Sequence, residues 1–176
     1  HTRYGTVTGV QTCALPISKV VLLTPGQPSS NPRLLKEAIF FLESGYQVTV
    51  IFCFWASWAF EADKLIKNKY QAINWIEVGG NPYHSRLLYF FTRFKYKLFL
   101  VLNKIKSNNL FWAERAEMRA YGEMLSEAMK QDGDLYVAHN LGALPVAGRA
   151  AQKKKVVFAF DAEDFHSGQN PDGSHE

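Results

Sequence analysis

Two cysteines in 176 residues are too few to staple a small secreted fold, so a reducing compartment is the default and the core must come from apolar burial. Long apolar runs are missing too. The best one, Leu87 to Leu102, is broken by Arg93, Lys95 and Lys97, so no segment reads as a membrane span. The opening residues lack a charged start followed by an apolar stretch and do not read as a secretory signal. Charge of one sign is scarce: 20 Lys+Arg stand against 16 Asp+Glu, a net charge of +4. With no binding motif either, nucleic acid is a poor partner. No GxGxxG and no Walker loop occurs, so the dinucleotide and ATP fingerprints are absent. What remains is globular: 47% hydrophobic, 20% charged and rich in aromatics, with 13 Phe, 8 Tyr and 4 Trp.

Residues 1–18 (HTRYGTVTGVQTCALPIS) carry neither a strand nor a helix period. The string Val7 to Ile17 resembles a translated sequencing-library adapter, so 1–18 is read as a foreign leader. The domain then spans 19–168, and 169–176 is the tail of a truncated chain. Cys53 is the only cysteine left in the domain. It follows an apolar strand among Phe52, Phe54 and Trp55, which suits a buried, inert thiol better than a nucleophile.

Lys19 to Leu23 is a short β-branched run, typical of a strand buried on both faces. A loop follows, then a helix with Leu34, Leu35, Ala38, Ile39 and Leu42 at helical spacing, stopped by Gly45. Tyr46 to Phe52 is the second strand, which completes a βαβ unit. Helical spacing returns from Phe60 to Tyr70, and Ala72 to Val78 is the third strand. Two long helices are expected, Tyr83 to Lys106 and Leu110 to Gln131, separated by Asn108-Asn109. Asp134 to Ala138 is the fourth strand, Leu141 to Gln152 a small-residue helix, and Lys155 to Phe160 the fifth strand. Alternation of this kind predicts an α/β, Rossmann-like, doubly wound and mostly parallel sheet. Such sheets bind ligands at the C-terminal ends of their strands.

Three loops therefore hold the candidate residues. The first, 24–33, ends at a helix N-terminus, where free N–H groups favour an anion. Ser30-Asn31-Pro32 either caps that helix alone or also touches a ligand. The second is His139-Asn140-Leu141-Gly142. A neutral imidazole at the sheet edge could take a hydroxyl proton, or could simply hold the neighbouring loop. The third, Asp161 to His166, gathers three carboxylates and a histidine. Their spacing fits no recognised metal signature; they suit sugar hydroxyls equally, or merely a polar strand end.

Between Gly80 and Lys106 there are six basic residues and no acidic one. At about 100° per residue, Arg86, Arg93, Lys97 and Lys104 share a narrow sector. Leu87, Leu88, Phe90, Phe91, Phe94, Leu98 and Val101 spread over much of the remainder, while Lys95 and Lys106 blur the pattern. The helix is either a core helix with a solvated basic stripe or one that meets an anionic membrane surface.

The runs Asp134 to Pro145 and Phe160 to His166 resemble bacterial glycosyltransferases of the GT-B fold. More narrowly, they are similar to the N-terminal domain of the family-four retaining enzymes. Ser29 to Arg33, Ala38 and Gly45 to Val50 agree with that family's first βαβ unit. The resemblance implies two Rossmann-like domains facing one cleft, the first binding the acceptor. The second would bind the nucleotide-sugar donor and carry a paired-glutamate motif, which this chain does not reach. The resemblance casts His139 as the catalytic group and Asn140, Asp161, Glu163, Asp164 and His166 as acceptor-binding. Gly26, Ser29, Ser30, Asn31 and Arg33 form its donor-phosphate loop, although Pro25-Gly26-Gln27-Pro28 replaces the glycine-rich turn of many members. It implies no metal and no cofactor, the nucleotide sugar being a substrate. The acceptor would be a cell-envelope polysaccharide or glycolipid, and the location cytoplasmic, at the inner face of the membrane. Alternatives are half of a GT-B nucleotide-sugar epimerase and a stand-alone Rossmann or flavodoxin-like binding module.

Overall fold

A computed structural model describes residues 18–105 and 108–162. Five parallel strands form one sheet: β1 (Lys19–Thr24), β2 (Gln47–Cys53), β3 (Asn74–Val78), β4 (Leu135–His139) and β5 (Val157–Asp161). Their order is β3-β2-β1-β4-β5, the Rossmann-like arrangement expected. The helices are α1 (Pro32–Glu43), α2 (Ala59–Lys69), α3 (Arg86–Ile105), α4 (Leu110–Glu117), α5 (Tyr121–Lys130) and α6 (Leu144–Lys154).

The central strand explains the two-sided core. β1 is apolar on both faces, and its side chains alternate between two clusters. Val20 and Leu22 join Leu34 and Ala38 of α1, with Val48, Val50 and Phe52 of β2. Val21 and Leu23 join Met124 and Ala128 of α5 and the small residues of α6. Ala147, Ala150 and Ala151 let α6 lie close against the sheet, as its composition implies. β3 and β5 are the edges, and Val157 and Phe158 of β5 are exposed.

Ser18 belongs to this fold rather than to a leader. Its N–H and Oγ–H donate to Asp134 Oδ2 at 2.9 and 3.0 Å, and its carbonyl accepts from Gln47 N at 2.9 Å. The N–H groups of Ser18 and Lys19 hold the Asp134 carboxyl below its usual pKa. Residues 1–17 lie outside the described part.

A larger correction concerns the helix expected from Leu110 to Gln131. It is two helices, α4 and α5, broken at Met118-Arg119-Ala120. Met118 is extended, and Ala120 has φ +62°, a left-handed conformation that no periodicity in the sequence announces. Glu114, buried in the middle of α4, takes a bidentate contact from Arg149 of α6 (2.8–3.2 Å) and the Tyr121 hydroxyl (2.9 Å). Burial first, then the bond to Glu114, pushes the Tyr121 phenol up to about 12. This network ties both halves of the broken helix to α6. Smaller shifts occur elsewhere: α3 begins at Arg86, and a short 3-10 turn, Leu141–Ala143, precedes α6.

The strand order reverses between β1 and β4. The loops after these two strands therefore part at the C-terminal edge of the sheet and leave a crevice.

Candidate active-site cleft

The loop after β1 is built around Gln27, which is buried. Its Nε2 donates to Asp63 Oδ2 (2.7 Å), and its Oε1 accepts from the backbone of Trp55 (3.0 Å) and Ala56 (2.6 Å). The loops after β1 and β2 are thereby clamped together over α2. The Ser29 N–H donates to Asp63 Oδ1 at 2.9 Å, and the Ser29 hydroxyl donates to the Ala59 carbonyl at 3.2 Å. Ser30 Oγ bonds both backbone groups of Gln27. Asn31 Oδ1 accepts from Leu34 N at 2.9 Å, the expected cap of α1. The loop turns the polar groups of Ser29, Ser30 and Asn31 inward. The capping part of the sequence reading matches this geometry, and a contact to donor phosphate through these side chains gains nothing from it. Gly26 sits beside them, its N–H bonded to Thr24 Oγ1 at 3.3 Å.

His139 ends β4, as its position in the sequence suggested, yet its side chain is buried. Parallel pairing sets it beside Asp161, the last residue of β5. Its Nδ1 lies 3.4 Å from Asp161 Oδ2, and its Nε2 lies 2.7 Å from Glu37 Oε2 on α1. Asp161 Oδ1 in turn meets the Arg33 guanidinium at 3.3 Å. Arg33, Asp161, His139 and Glu37 thus form one chain of contacts linking α1 to the strand ends. Two residues expected in different sites, Arg33 and Asp161, are partners in it. The His139 ring is buried among these partners and does not line the open cavities of the crevice. Glu163, Asp164 and His166 lie outside the described residues.

The open space lies on the other side of the β1–β4 crevice. One cavity of about 370 Å³ runs between Pro25, the Phe54-Trp55 loop, the Glu117-Met118-Arg119 break and the Asn140-Leu141-Gly142 turn. A second, about 340 Å³, shares Phe54, Trp55, Tyr96 and Arg119 with it and extends along α3 to Arg93 and Lys97. Together they form one cleft at the C-terminal edge of the sheet. Asn140 stands at its rim with φ +69° and ψ 151°, a region that costs about 1–3 kcal/mol outside glycine and gathers at functional sites.

Arg119 is the residue that sequence reading missed. Its Nη1 donates to the Gly79 carbonyl (2.6 Å) and Thr92 Oγ1 (2.7 Å), and its Nη2 to the carbonyls of Phe54 (2.9 Å) and Gly80 (3.3 Å). Burial lowers its pKa from the ordinary arginine value, and the nearby Arg93 charge acts in the same direction. Cys53, behind it, is buried, and desolvation pushes its thiol up to about 12, so it is inert as expected. Among the described residues no cluster of His, Cys, Asp and Glu is arranged to hold a metal ion.

The α3 helix departs from a core helix. Thr92 is its one buried residue among those described. Leu87 is 89% exposed, Phe94 68% and Ile105 71%, with Phe90, Phe91, Leu98 and Val101 also exposed. Arg86, Arg93, Lys97 and Lys104 are exposed beside this apolar face, whereas Lys95 is paired with Glu123. Among the described residues no helix is long and apolar enough to cross a membrane.

No protein-family model matches the chain. No curated protein matches it. Two crystal structures of the C-terminal domain of a Pyrococcus furiosus hydrogenase share its general α/β course. One is 15% identical, with a TM-score of 0.47, over 84% of this chain and 96% of that one. The other is 13% identical, with a TM-score of 0.46, over 87% and 100%. Likeness that distant assigns no activity to this chain.

The buried contacts of His139 generate a prediction about stability. His139→Ala removes the ring between Glu37 and Asp161 and leaves a void beneath α1. Urea unfolding should show a loss of about 1–3 kcal/mol, the usual cost of stripping a partner from buried polar groups. An unchanged midpoint would contradict the buried placement.

Proposed function

We propose that this chain is the acceptor-binding half of a retaining glycosyltransferase that acts on a cell-envelope polysaccharide or glycolipid. The observation that carries the reading is the cleft at the β1–β4 switch point, bounded by the loops after β1, β2 and β4. The described parts of the motif resemblance, 134–145 and 160–162, fall at the ends of β4 and β5. Its walls suit a saccharide: Trp55 and Tyr96 offer flat faces, and Glu117 and Asn140 offer hydrogen-bonding groups.

The reaction moves a glycosyl group from a nucleotide sugar to an acceptor hydroxyl. The bond from the anomeric carbon to the diphosphate breaks, the bond to the acceptor oxygen forms, and the hydroxyl proton passes to the departing diphosphate oxygen. Holding the acceptor in line is this half's contribution, and orientation can supply several kcal/mol of the barrier, about 7 or more in well-aligned cases. His139 serves by fixing Asp161 and Arg33 at the strand ends. The donor and its diphosphate belong to a second Rossmann-like unit.

The α3 surface supports docking at a membrane. An exposed apolar face flanked by Arg86, Arg93, Lys97 and Lys104, with no acidic residue between Gly80 and Lys106, is complementary to an anionic lipid surface. Each cation near such a surface contributes about 1 kcal/mol, weakened by salt. The cleft then opens next to a lipid-borne acceptor.

Two measurements test these claims. In the complete enzyme, Trp55→Ala should raise the acceptor KM about tenfold and leave the donor KM unchanged, as loss of one stacking face predicts. Acceptor-independent epimerisation of a nucleotide sugar would instead support the epimerase reading, and ligand binding without turnover the module. In vesicle sedimentation, the chain should bind anionic but not neutral vesicles, and less at high salt. Equal binding after charge reversal at Arg86, Arg93, Lys97 and Lys104 would overturn membrane docking.

A further inference from the structure

Around α3, at about 100° per residue, side chains follow one another in a chemical order. Tyr96 and Leu100 line the cleft. Arg93 and Lys97 come next, one turn apart at its mouth. Phe90, Val101 and Phe94 follow on the exposed apolar face. Sugar-stacking surface, cation pair and apolar surface therefore lie side by side across a single helix.

Three cations meet at this end of the cleft. Arg93 and Arg119 flank the Tyr89 ring, their guanidinium carbons 5.4 and 4.9 Å from its centroid. Arg93 Nη1 donates to the Tyr89 hydroxyl at 2.9 Å. Among the described residues no carboxylate forms an ion pair with Arg93, Lys97 or Arg119. The cavity they share has three cationic and no acidic lining residues. Cations held this close without a counter-charge favour an anion, and arginine beside lysine suits phosphate oxygens.

We infer that Arg93 and Lys97, backed by Arg119, form a phosphate subsite, and that the acceptor is a saccharide carried on a phosphate- or diphosphate-linked lipid. The sugar occupies the Trp55–Tyr96 cleft, the phosphate bridges Arg93 and Lys97, and the lipid leaves over Phe90 and Phe94 into the bilayer. This assignment rests on the acceptor reading above and narrows it to one substrate class.

The test is calorimetric titration of the chain with a short-chain alkyl diphosphate-linked hexose below its micelle concentration. Comparators are the same alkyl hexoside without phosphate, inorganic diphosphate and a nucleoside diphosphate. The diphosphate-linked hexose should bind about tenfold more tightly than each comparator, a modest return for two charge-assisted contacts. The double variant Arg93→Gln/Lys97→Gln should reduce it to the level of the alkyl hexoside. Its melting temperature should stay unchanged, since both side chains lie on the exposed side of α3. Equal affinity for the phosphate-free hexoside, unchanged binding by the double variant, or tightest binding of the nucleoside diphosphate each overturns the subsite. Transfer by the complete enzyme separates the two levels. If the double variant still glycosylates a lipid-phosphate acceptor as wild type does, the subsite fails and the glycosyltransferase reading stands. If the subsite binds as expected but no sugar is ever transferred, the glycosyltransferase reading fails alone.

Discussion

The Arg119 guanidinium ties three parts of the molecule to the α4–α5 break. Its donors reach the end of β2 through Phe54, the turn after β3 through Gly79 and Gly80, and α3 through Thr92. Bonds from a charged donor contribute about 1.5–3 kcal/mol each, enough to offset partial desolvation of one arginine. The backbone around it is shaped for this contact. Ala120 adopts its left-handed conformation directly after Arg119, and a Cβ on Gly79, at φ +76°, would come within 2.4 Å of the Ala120 Cβ. Only glycine lets the turn after β3 approach the helix break so closely.

The cleft is a consequence of that junction. Without the break at 118–120, a continuous helix would carry Arg119 away from the sheet edge. With it, the α4–α5 corner forms one wall, the clamped loops around Gln27 form the other, and α3 is fixed along the rim. Fixing α3 by Thr92 and Tyr89 turns its opposite side outward, which is why so many large apolar residues face solvent. The cleft, the cation pair and the exposed apolar surface of α3 are thus positioned by one set of hydrogen bonds.

The sheet was legible because its signals are local. β-branched runs between turn residues mark β1 to β5, and alternation with helices fixes parallel pairing. The caps Asn31 and Gly45 were legible for the same reason. What escaped depends on distant partners. The helix break at Ala120 carries no Gly or Pro, and it is held by tertiary contacts to Phe54, Gly79, Gly80 and Thr92. Gln27 lies in a loop whose composition says nothing of Asp63, 36 positions away. His139 was correctly placed at a strand end, but its burial needs Glu37 on α1 and the register that sets it against Asp161. For α3 the sequence showed stripe and aromatics together; which side faced the core depended on Arg119 and Thr92.

The Arg119 contacts dock α3 and shape the cleft without carrying the sheet. Native-state hydrogen exchange on Arg119→Met tests this most directly. Amides from Gly80 through the first half of α3, Tyr89 among them, should lose protection by about tenfold or more, as expected for local opening after loss of one or more such bonds. Amides of β1 and β4 should keep theirs. Uniform loss across β1, β4 and α3, or unchanged protection in α3, would contradict the account.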